Sequence, residues 1–277
     1  MVHGNDPATR HEVGDIIYYE RETITVDGKT FRRLAVQTHF IQIGESYVDV
    51  MGKYIKPLFI DGDILSIGAK IISMCQNNTV DKSDVKLGFW AKNLSKLATK
   101  TSAGIGMNEP YKLQLAINIA GLGRVLWATF CGAIGRIFGK RGIFYKVVGH
   151  GIAGIDGFYD HSSFDIYKDM ALLNPNDPRG VCNDIENAHG IRCMLLDAND
   201  INVEMFGKSK GLDNFNDDYL LSLMKDNPSG QGDELTPLII IREKQEVFDE
   251  DEIKKEQTIL HLNKKDSVLP NKAIGQV

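Results

Sequence analysis

The chain has 277 residues, a formal net charge of −5 and a pI near 5.8, with 43% hydrophobic and 25% charged residues. This composition is that of an ordinary folded protein, and it excludes wholesale disorder, collagen-like repeats and a coiled-coil rod. The acidic balance argues against a dedicated nucleic-acid-binding protein, and four scattered cysteines without CxxC spacing argue against disulfides or a zinc ribbon.

The first part of the chain predicts strands joined by tight turns, followed by one short helix and a further strand. Residues 16–36 have a β-forming composition on both sides of Asp27-Gly28, a pair typical of two-residue hairpin turns. A short helix is predicted over residues 47–54. A buried, isoleucine-rich strand is predicted over residues 64–74.

The remaining part of the chain alternates helix and strand. Apolar residues at helical spacing predict helix over residues 111–138, with glycines that break it into pieces. Residues 143–148 are predicted to form a strand, and residues 178–189 a helix that ends at Gly190. Further predicted elements are a weak helix over 92–100, strands over 191–196 and 203–206, a helix over 217–225 and a last strand over 238–242. This alternation predicts an α+β, or mixed α/β, core.

Composition divides the chain into three predicted parts. Residues 1–30 form an N-terminal strand and hairpin extension, residues 31–246 form the main domain, and residues 247–277 form a charged, flexible tail. No internal repeat is evident, so we expect one main domain rather than an array of small units.

The sequence contains no pattern typical of a secreted or membrane-spanning protein. Residues 1–22 lack the apolar core of a secretory signal. The most apolar stretch, residues 113–138, is interrupted by Arg124 and Arg136, whereas a membrane span needs about 20 consecutive apolar residues. We therefore expect a cytoplasmic protein in which this stretch is a buried or interfacial helix.

Residues 110–155 contain no Asp or Glu, although the chain as a whole is acidic. The basic residues of this segment are Lys112, Arg124, Arg136, Lys140, Arg141 and Lys146. A basic segment without carboxylates favours contact with an anion, and the arginine fork suits a phosphate or a substrate carboxylate. Arg136 and Arg141 are therefore candidate anion-binding residues. A solvated basic face or contact with anionic lipid would give the same pattern.

Carboxylates follow two predicted strands, next to turn residues. Asp156 lies in a Gly-Ile-Asp-Gly sequence, and Asp197 ends the apolar run of residues 193–196, with Asn199 and Asp200 just beyond. Carboxylates in such places commonly hold Mg²⁺ or Mn²⁺ against nucleotide phosphates. The sequence therefore predicts Asp156, Asp197 and Asp200 as metal ligands, although the same sequences are also typical of ordinary turns.

Three segments, taken in order, resemble motifs of the coenzyme F-420 gamma-glutamyl ligase family. These segments are GDILSIGAKIIS at residues 62–73, GIAGID at residues 151–156 and LLNPNDP at residues 172–178. The strand of residues 191–197 is similar to the one that ends in the family's metal-binding SDT. The resemblance extends over residues 38–242 and is closest to a bacterial branch of uncertain substrate.

The resemblance implies a gamma-glutamyl ligase-like fold of mixed sheets and packed helices. It also implies a GTP- or ATP-dependent ligase that forms an amide bond through an acyl phosphate. Its substrates would be a small carboxylated acceptor and L-glutamate, its ion Mg²⁺ or Mn²⁺, and its assembly a homodimer.

The family's site residues carry over by position onto this chain. Asp156 and Asp197 would hold the metal ion and, with Lys70, form the catalytic group. Lys70 and Ser73 would lie near the nucleotide, with Thr38 on its base or ribose side.

The sequence departs from the family pattern at positions that contact the nucleotide. Ser73 is followed by MCQNN, where the family has a lysine, an acid and an arginine. Ile152 and Ala198 stand where the family has an asparagine and a threonine. These departures leave a second interpretation open, namely a non-catalytic nucleotide- or anion-binding protein of the same fold.

Overall fold

The computed structural model describes residues 5–98, 107–140, 142–149, 151–158, 166–198, 203–230 and 234–244. The strands are β1 (Arg10–Val13), β2 (Ile16–Val26), β3 (Lys29–Val36), β4 (Ile64–Gly68), β5 (Thr79–Asp81), β6 (Asp156–Gly157), β7 (Met170–Leu172), β8 (Cys193–Ala198), β9 (Val203–Lys208) and β10 (Leu238–Glu243). The helices are α1 (Tyr47–Tyr54), α2 (Ala69–Cys75), α3 (Phe89–Leu94), α4 (Pro110–Ala120), α5 (Leu122–Ile137), α6 (Ile143–Val148), α7 (Ile166–Asp169), α8 (Pro178–His189) and α9 (Asp217–Ser222). The predicted tail of residues 247–277 lies outside the described residues.

The strands in these ranges form two sheets. The large sheet has seven strands in the order β1-β2-β3-β10-β4-β8-β9, and the small sheet has three in the order β5-β7-β6. β4 and β8 pair in parallel, whereas the other neighbours pair antiparallel. The fold is therefore mixed α+β, as predicted. Both strands of the predicted N-terminal extension, β1 and β2, belong to the large sheet.

Elements with the clearest local signals match their predictions. The turn between β2 and β3 consists of Asp27 and Gly28, whose φ angles of 49° and 78° are left-handed, as a tight hairpin turn of this kind requires. Helices α1 and α8 have the predicted bounds. Helix α8 begins with Asp177 as its cap and ends at Gly190, which has a φ of 72°.

Two predicted strands are wrong, at least in part. The strand predicted over residues 64–74 ends at Gly68, and α2 follows it. A continuous apolar run does not distinguish a strand from a buried helix, and Ile72 and Cys75 of α2 pack in the core beneath the large sheet.

The strand predicted over residues 143–148 is helix α6. Its branched and aromatic residues favour a strand locally, but packing against α5 outweighs that propensity. Ile143 and Phe144 pack against Gly135 and Gly132 of α5, where no side chain of their own stands in the way. The segment is apolar, as predicted, and its packing against the neighbouring helix outweighs its local preference for a strand.

Two of the hydrophobic cores lie on opposite faces of the large sheet. The first contains Leu65 and Ile67 together with residues of α1, α2 and α8. The second contains Ile64 and Ile239 together with Leu220 of α9. A third core forms separately, among α4, α5, α6 and the glycine-rich turn before β6. We refer to α4–α6 as the helical unit.

Within the described residues, no single helix has both the length and the apolar composition to cross a membrane. Helices α4 and α5 meet the requirement only when taken together, and they are bent by 118° with respect to each other. The bend falls at Gly121, which has a φ of 83°. The predicted glycine break within residues 111–138 is thus confirmed.

Candidate functional site

The candidate site lies at one edge of the large sheet. β10 is antiparallel to both β3 and β4, and β4 is parallel to β8, so β3, β4 and β8 all run in the same direction. Their carboxyl ends therefore meet at the same edge, which is where open sheets commonly bind ligands. Lys70 lies in the first turn of α2, directly after β4, and Asp197 lies near the end of β8.

The small sheet supplies the second carboxylate of the site. Asp156 lies in β6 opposite Leu172 of β7. Its carboxylate forms an ion pair with the Lys70 ammonium group, and the exposed fractions of the two side chains are 13% and 54%. The electrostatic surroundings of Asp197 include both Asp156 and Lys70. The structure therefore brings together three residues that the sequence singled out as catalytic.

Lys112 is the fourth charged member of the site, and only 6% of its surface is exposed. It lies in the first turn of α4, where the Glu109 carboxylate caps the helix by accepting a hydrogen bond from the Lys112 backbone N–H. Burial lowers the pKa of Lys112, and the nearby negative charges of Asp156, Glu109 and Asp197 oppose that shift. We refer to Lys70, Lys112, Asp156 and Asp197 as the Asp–Lys cluster.

The pKa of Asp197 is raised, chiefly because the carboxyl group is largely withdrawn from water. The positive charge of Lys70 opposes the rise, the negative charge of Asp156 adds to it, and Lys112 opposes it again. A cation beside Asp197 would oppose the burial and the repulsion from Asp156 that raise its pKa. The charges around Asp197 therefore favour the binding of a cation, or of a ligand that carries a cation with it.

A cleft of about 230 Å³, which includes space open to solvent, lies beside this cluster. The residues of interest that line it are Lys70, Ser73, Gly154, Asn174, Asp197 and Phe206. Lys70 and Asp197 of the cluster thus line this cleft directly.

The remaining predicted site residues differ in their relation to the cleft. Ser73 lines it, but its hydroxyl group donates to the Ala69 carbonyl at 3.3 Å. Thr38 is buried just beyond β3, where its backbone N–H donates to the Leu235 carbonyl at 2.9 Å. It lies two strands from β4, about 10 Å at the usual strand spacing. Arg136 is exposed on α5 and is not among the residues that line the cleft.

Two further predicted residues lie outside the described residues. They are Arg141, predicted to bind an anion, and Asp200, predicted to bind a metal ion. Their roles stay predictions.

Polar residues at the end of α2 and just after it form hydrogen bonds with the segment that lines the cleft. The Gln76 side chain forms two hydrogen bonds with the backbone of Asn176, at 2.7 and 2.8 Å. The Asn78 amide donates to the Asn174 carbonyl at 2.6 Å. Asn174 in turn donates to the Gly151 carbonyl at 3.0 Å. These positions thus link α2 to the glycine-rich turn instead of presenting charge.

Gly154 is required by its surroundings. A Cβ atom at this position would overlap the Asn174 side chain, and the same holds at Gly151. The absence of side chains at these two glycines therefore leaves room for the Asn174 amide between the turn and the cleft. The turn's small residues are explained by this packing without any ligand.

The donor groups of the site are compatible with a magnesium or manganese ion. Among the described residues, no group of three or more His, Cys, Asp or Glu side chains is arranged to hold a metal. Mg²⁺, however, is commonly bound by one or two carboxylates together with phosphates and waters. Asp156 and Asp197 would supply the two carboxylates, and the exposed ammonium group of Lys70, which pairs with Asp156, would also contact a phosphate.

No protein-family model matches the chain, and no curated protein is similar enough to count as a match. The likeness to the gamma-glutamyl ligases therefore rests on the segments at residues 62–73, 151–156 and 172–178 and on the strand of residues 191–197.

Proposed function

We propose that this protein is a metal- and nucleotide-dependent ligase that forms an amide bond on a small carboxylated acceptor, similar to the gamma-glutamyl ligases. The observation that supports this proposal best is the Asp–Lys cluster beside the cleft. Its two acids lie in β6 and β8 and its two lysines in α2 and α4, and Lys70 and Asp197 line the cleft.

Stability alone does not explain such a cluster. Charged groups that are taken out of water lose hydration free energy, and a buried ion pair often stabilises a fold no better than apolar residues of the same volume. Perturbed titratable groups in a cleft are more typical of binding or catalytic sites. Lys112 is the clearest case, because the residue is nearly enclosed and its charge interacts with those of the two carboxylates.

The cluster fits the requirements of phosphoryl transfer. This reaction is catalysed mainly by positioning the reactants and by stabilising the charge on the transferred group. A divalent ion held by Asp156 and Asp197 would neutralise the nucleotide phosphates. Lys70 and Lys112 would bring positive charge to the transferred phosphoryl group, and the enclosed position of Lys112 strengthens its interaction there.

The proposed reaction has two steps. An oxygen of the acceptor carboxylate takes the terminal phosphoryl group of GTP or ATP, which gives an acyl phosphate and the nucleoside diphosphate. The amine nitrogen of L-glutamate then attacks the acyl carbon, an amide bond forms and inorganic phosphate leaves. In this proposal the phosphate end lies at the Asp–Lys cluster, and the base and ribose lie further along the sheet edge toward Thr38.

A second candidate function is binding of a nucleotide or another anion without ligation. The observation that favours it is the use of Gln76 and Asn78 to hold the cleft wall. These residues fall in the segment where the family has charged nucleotide contacts. The anion site would then survive while the affinity for the reacting nucleotide falls.

Phosphate release from GTP and from ATP tests the proposal. We would incubate the full-length chain with Mg²⁺ or Mn²⁺, with and without L-glutamate, across a panel of small carboxylic acids. We expect turnover that needs both the metal and a carboxylate. Asp156→Asn and Asp197→Asn should each lower it by about 100-fold or more, as removal of a group that stabilises the transition state does.

Asp213→Asn is the matched control, because Asp213 forms an exposed ion pair with Arg179 and neither residue lines the cleft. Its turnover should equal that of the unmodified chain. Nucleotide binding without turnover would favour the second candidate function. Unmodified rates in either Asp156→Asn or Asp197→Asn would remove that residue from the mechanism.

A further inference from the structure

Exposed apolar side chains are concentrated in one part of the molecule. Ten large apolar side chains are exposed in the described part of the chain, and nine of them belong to the stretch from Phe89 to Phe138. Single exposed apolar residues are normal on a protein surface, but a concentration of them marks an interaction surface. The exception is Ile60.

Helix α5 carries the most regular part of this surface. Its outward face consists of Trp127, Phe130, Ile134 and Ile137, which recur at intervals of three and four residues and so share one side of the helix. The exposed fractions of Trp127 and Ile137 are 59% and 81%. The rings of Trp127 and Phe130 stack with their centroids 5.6 Å apart.

The opposite face of α5 is already packed. Val125, Ala128 and Gly135 are buried there, and Gly135 contacts Ile143 of α6. Helix α5 is thus apolar on both sides, which is the pattern of a helix that is covered on both sides. Among the described residues, nothing covers the outward side of the four residues named above.

The charge around this face indicates what covers it. Residues 85–155 contain ten basic residues and one acidic residue, Glu109, although the whole chain has a net charge of −5. Arg136, Lys140 and Lys146 are exposed in the helical unit or directly after α5. An exposed apolar face flanked by basic residues is typical of a helix that lies in the surface of an anionic membrane.

We propose that the outward face of α5 binds the surface of an anionic lipid bilayer. The aromatic and aliphatic side chains enter the boundary between headgroups and acyl chains, and the basic residues contact lipid phosphates. The 118° bend between α4 and α5 is compatible with this peripheral position, in which α5 lies along the surface. This inference is independent of the proposed ligase activity.

A second copy of the chain fits this face less well. A two-fold interface places the same surface on both sides, so each basic segment would face its own copy. Like charges brought together across an interface oppose association. An anionic membrane instead supplies the opposite charge as well as an apolar environment.

Sedimentation with lipid vesicles tests the proposal. The full-length chain should sediment with phosphatidylcholine vesicles that contain about 30% phosphatidylglycerol, and much less with pure phosphatidylcholine vesicles. Binding should weaken as salt is raised, because the charge contribution is screened. Tryptophan emission should shift to shorter wavelength on binding. Equal binding to neutral and anionic vesicles, or none to either, would overturn the proposal.

Variants separate the apolar and basic contributions. Trp127→Gln combined with Ile137→Gln should weaken vesicle binding by at least about tenfold, since two apolar anchors are lost. Arg136→Gln combined with Lys140→Gln should reduce the preference for anionic vesicles. Ile60→Gln is the control, because Ile60 is exposed but lies outside the stretch from Phe89 to Phe138, and its binding should not change.

Solution measurements distinguish a second copy from a membrane. Light scattering after size-exclusion chromatography should give the same mass for the unmodified chain and for the variant with Trp127→Gln and Ile137→Gln. A dimer that this double substitution converts to a monomer would show that a second copy covers the face, and it would overturn the membrane proposal. Circular dichroism confirms that each variant is folded.

Discussion

The large sheet and the helical unit bury their apolar residues to different extents. In the large sheet, successive residues of β4 point into opposite cores, Ile64 into one and Leu65 into the other, and both are almost completely enclosed. In α5, one side packs on α6 and the other remains exposed. Both faces of the large sheet are therefore covered by other parts of the chain, whereas the helical unit leaves an apolar surface that suits an external partner.

The two regions also differ in how they use charge, and the candidate site lies where they meet. The sheet region pairs its buried charges, as Arg33 does with Asp226. The helical unit is basic and contains no acidic residue. Lys112 of the helical unit faces carboxylates from the two sheets. A ligand site at the boundary of two regions is a common arrangement, because side chains from both converge there.

The largest expected effect on stability comes from breaking a buried ion pair of the sheet region. Asp226→Ala should lower the free energy of unfolding by about 3–5 kcal/mol, because it leaves the enclosed Arg33 guanidinium without its carboxylate. Urea denaturation measures the change. Asp213→Ala, which breaks the exposed pair with Arg179, should leave the free energy of unfolding nearly unchanged, because water screens the two charges. Equal costs would mean that the buried pair is no more important than an exposed one.

Truncating one isoleucine in each region tests the difference in burial directly. Ile67→Ala should cost about 2–5 kcal/mol, because Ile67 is fully enclosed in the sheet core and its truncation leaves a cavity. Ile137→Ala should change the free energy of unfolding by about 0.5 kcal/mol or less, since the side chain is exposed. A large cost for Ile137→Ala would show that its face is covered in solution.

Two glycines, one in the turn beside the candidate site and one in α5, should respond to alanine substitution with opposite changes in stability. Gly154→Ala should destabilise the protein by about 1–3 kcal/mol, because the new methyl group overlaps the Asn174 side chain. Gly123→Ala should stabilise it by up to about 1 kcal/mol, since Gly123 lies in α5 with open space beside it and alanine favours a helix. Thermal denaturation compares the two variants, and combining Gly154→Ala with Asn174→Ala should restore part of the loss.

The smallest expected effect is the pH dependence that Asp197 contributes. Its pKa in the folded protein is raised by burial, so the folded state holds this proton more tightly than the unfolded chain does. Stability from this group is therefore present at low pH and is lost as the pH rises from 3.8 through the raised value. Relative to the unmodified chain, Asp197→Asn should gain stability over that interval. A relative loss there would contradict the direction of the shift.

The elements that the sequence predicted well are those whose signals are local. Asp27 and Gly28 favour a tight turn by themselves, and α8 has an N-cap residue at Asp177 and a C-terminal glycine at Gly190. The conformations of α2 and α6 were missed, because both are short apolar runs whose structure depends on what they pack against.

Local sequence signals also predicted part of the candidate site. Asp156 and Asp197 stand out because each follows an apolar run at a turn, and Lys70 was indicated by the family resemblance. Lys112 appeared only as one of six basic residues, since its place in the site depends on how α4 packs. Thr38 and Arg136 do not line the cleft. Their distance from it depends on the packing of the strands and helices, which the sequence around each residue does not indicate.

The central claim is that the Asp–Lys cluster binds nucleotide phosphates together with a divalent ion. Calorimetric titration of the full-length chain with Mn²⁺ and GTP, and in parallel with Mn²⁺ and ATP, tests this claim most directly. We expect one site for at least one nucleotide, with an affinity about tenfold weaker or worse in Asp156→Asn, Asp197→Asn and Lys112→Met, and unchanged in Asp213→Asn. Nucleotide affinity that is the same in all of these variants would contradict the account.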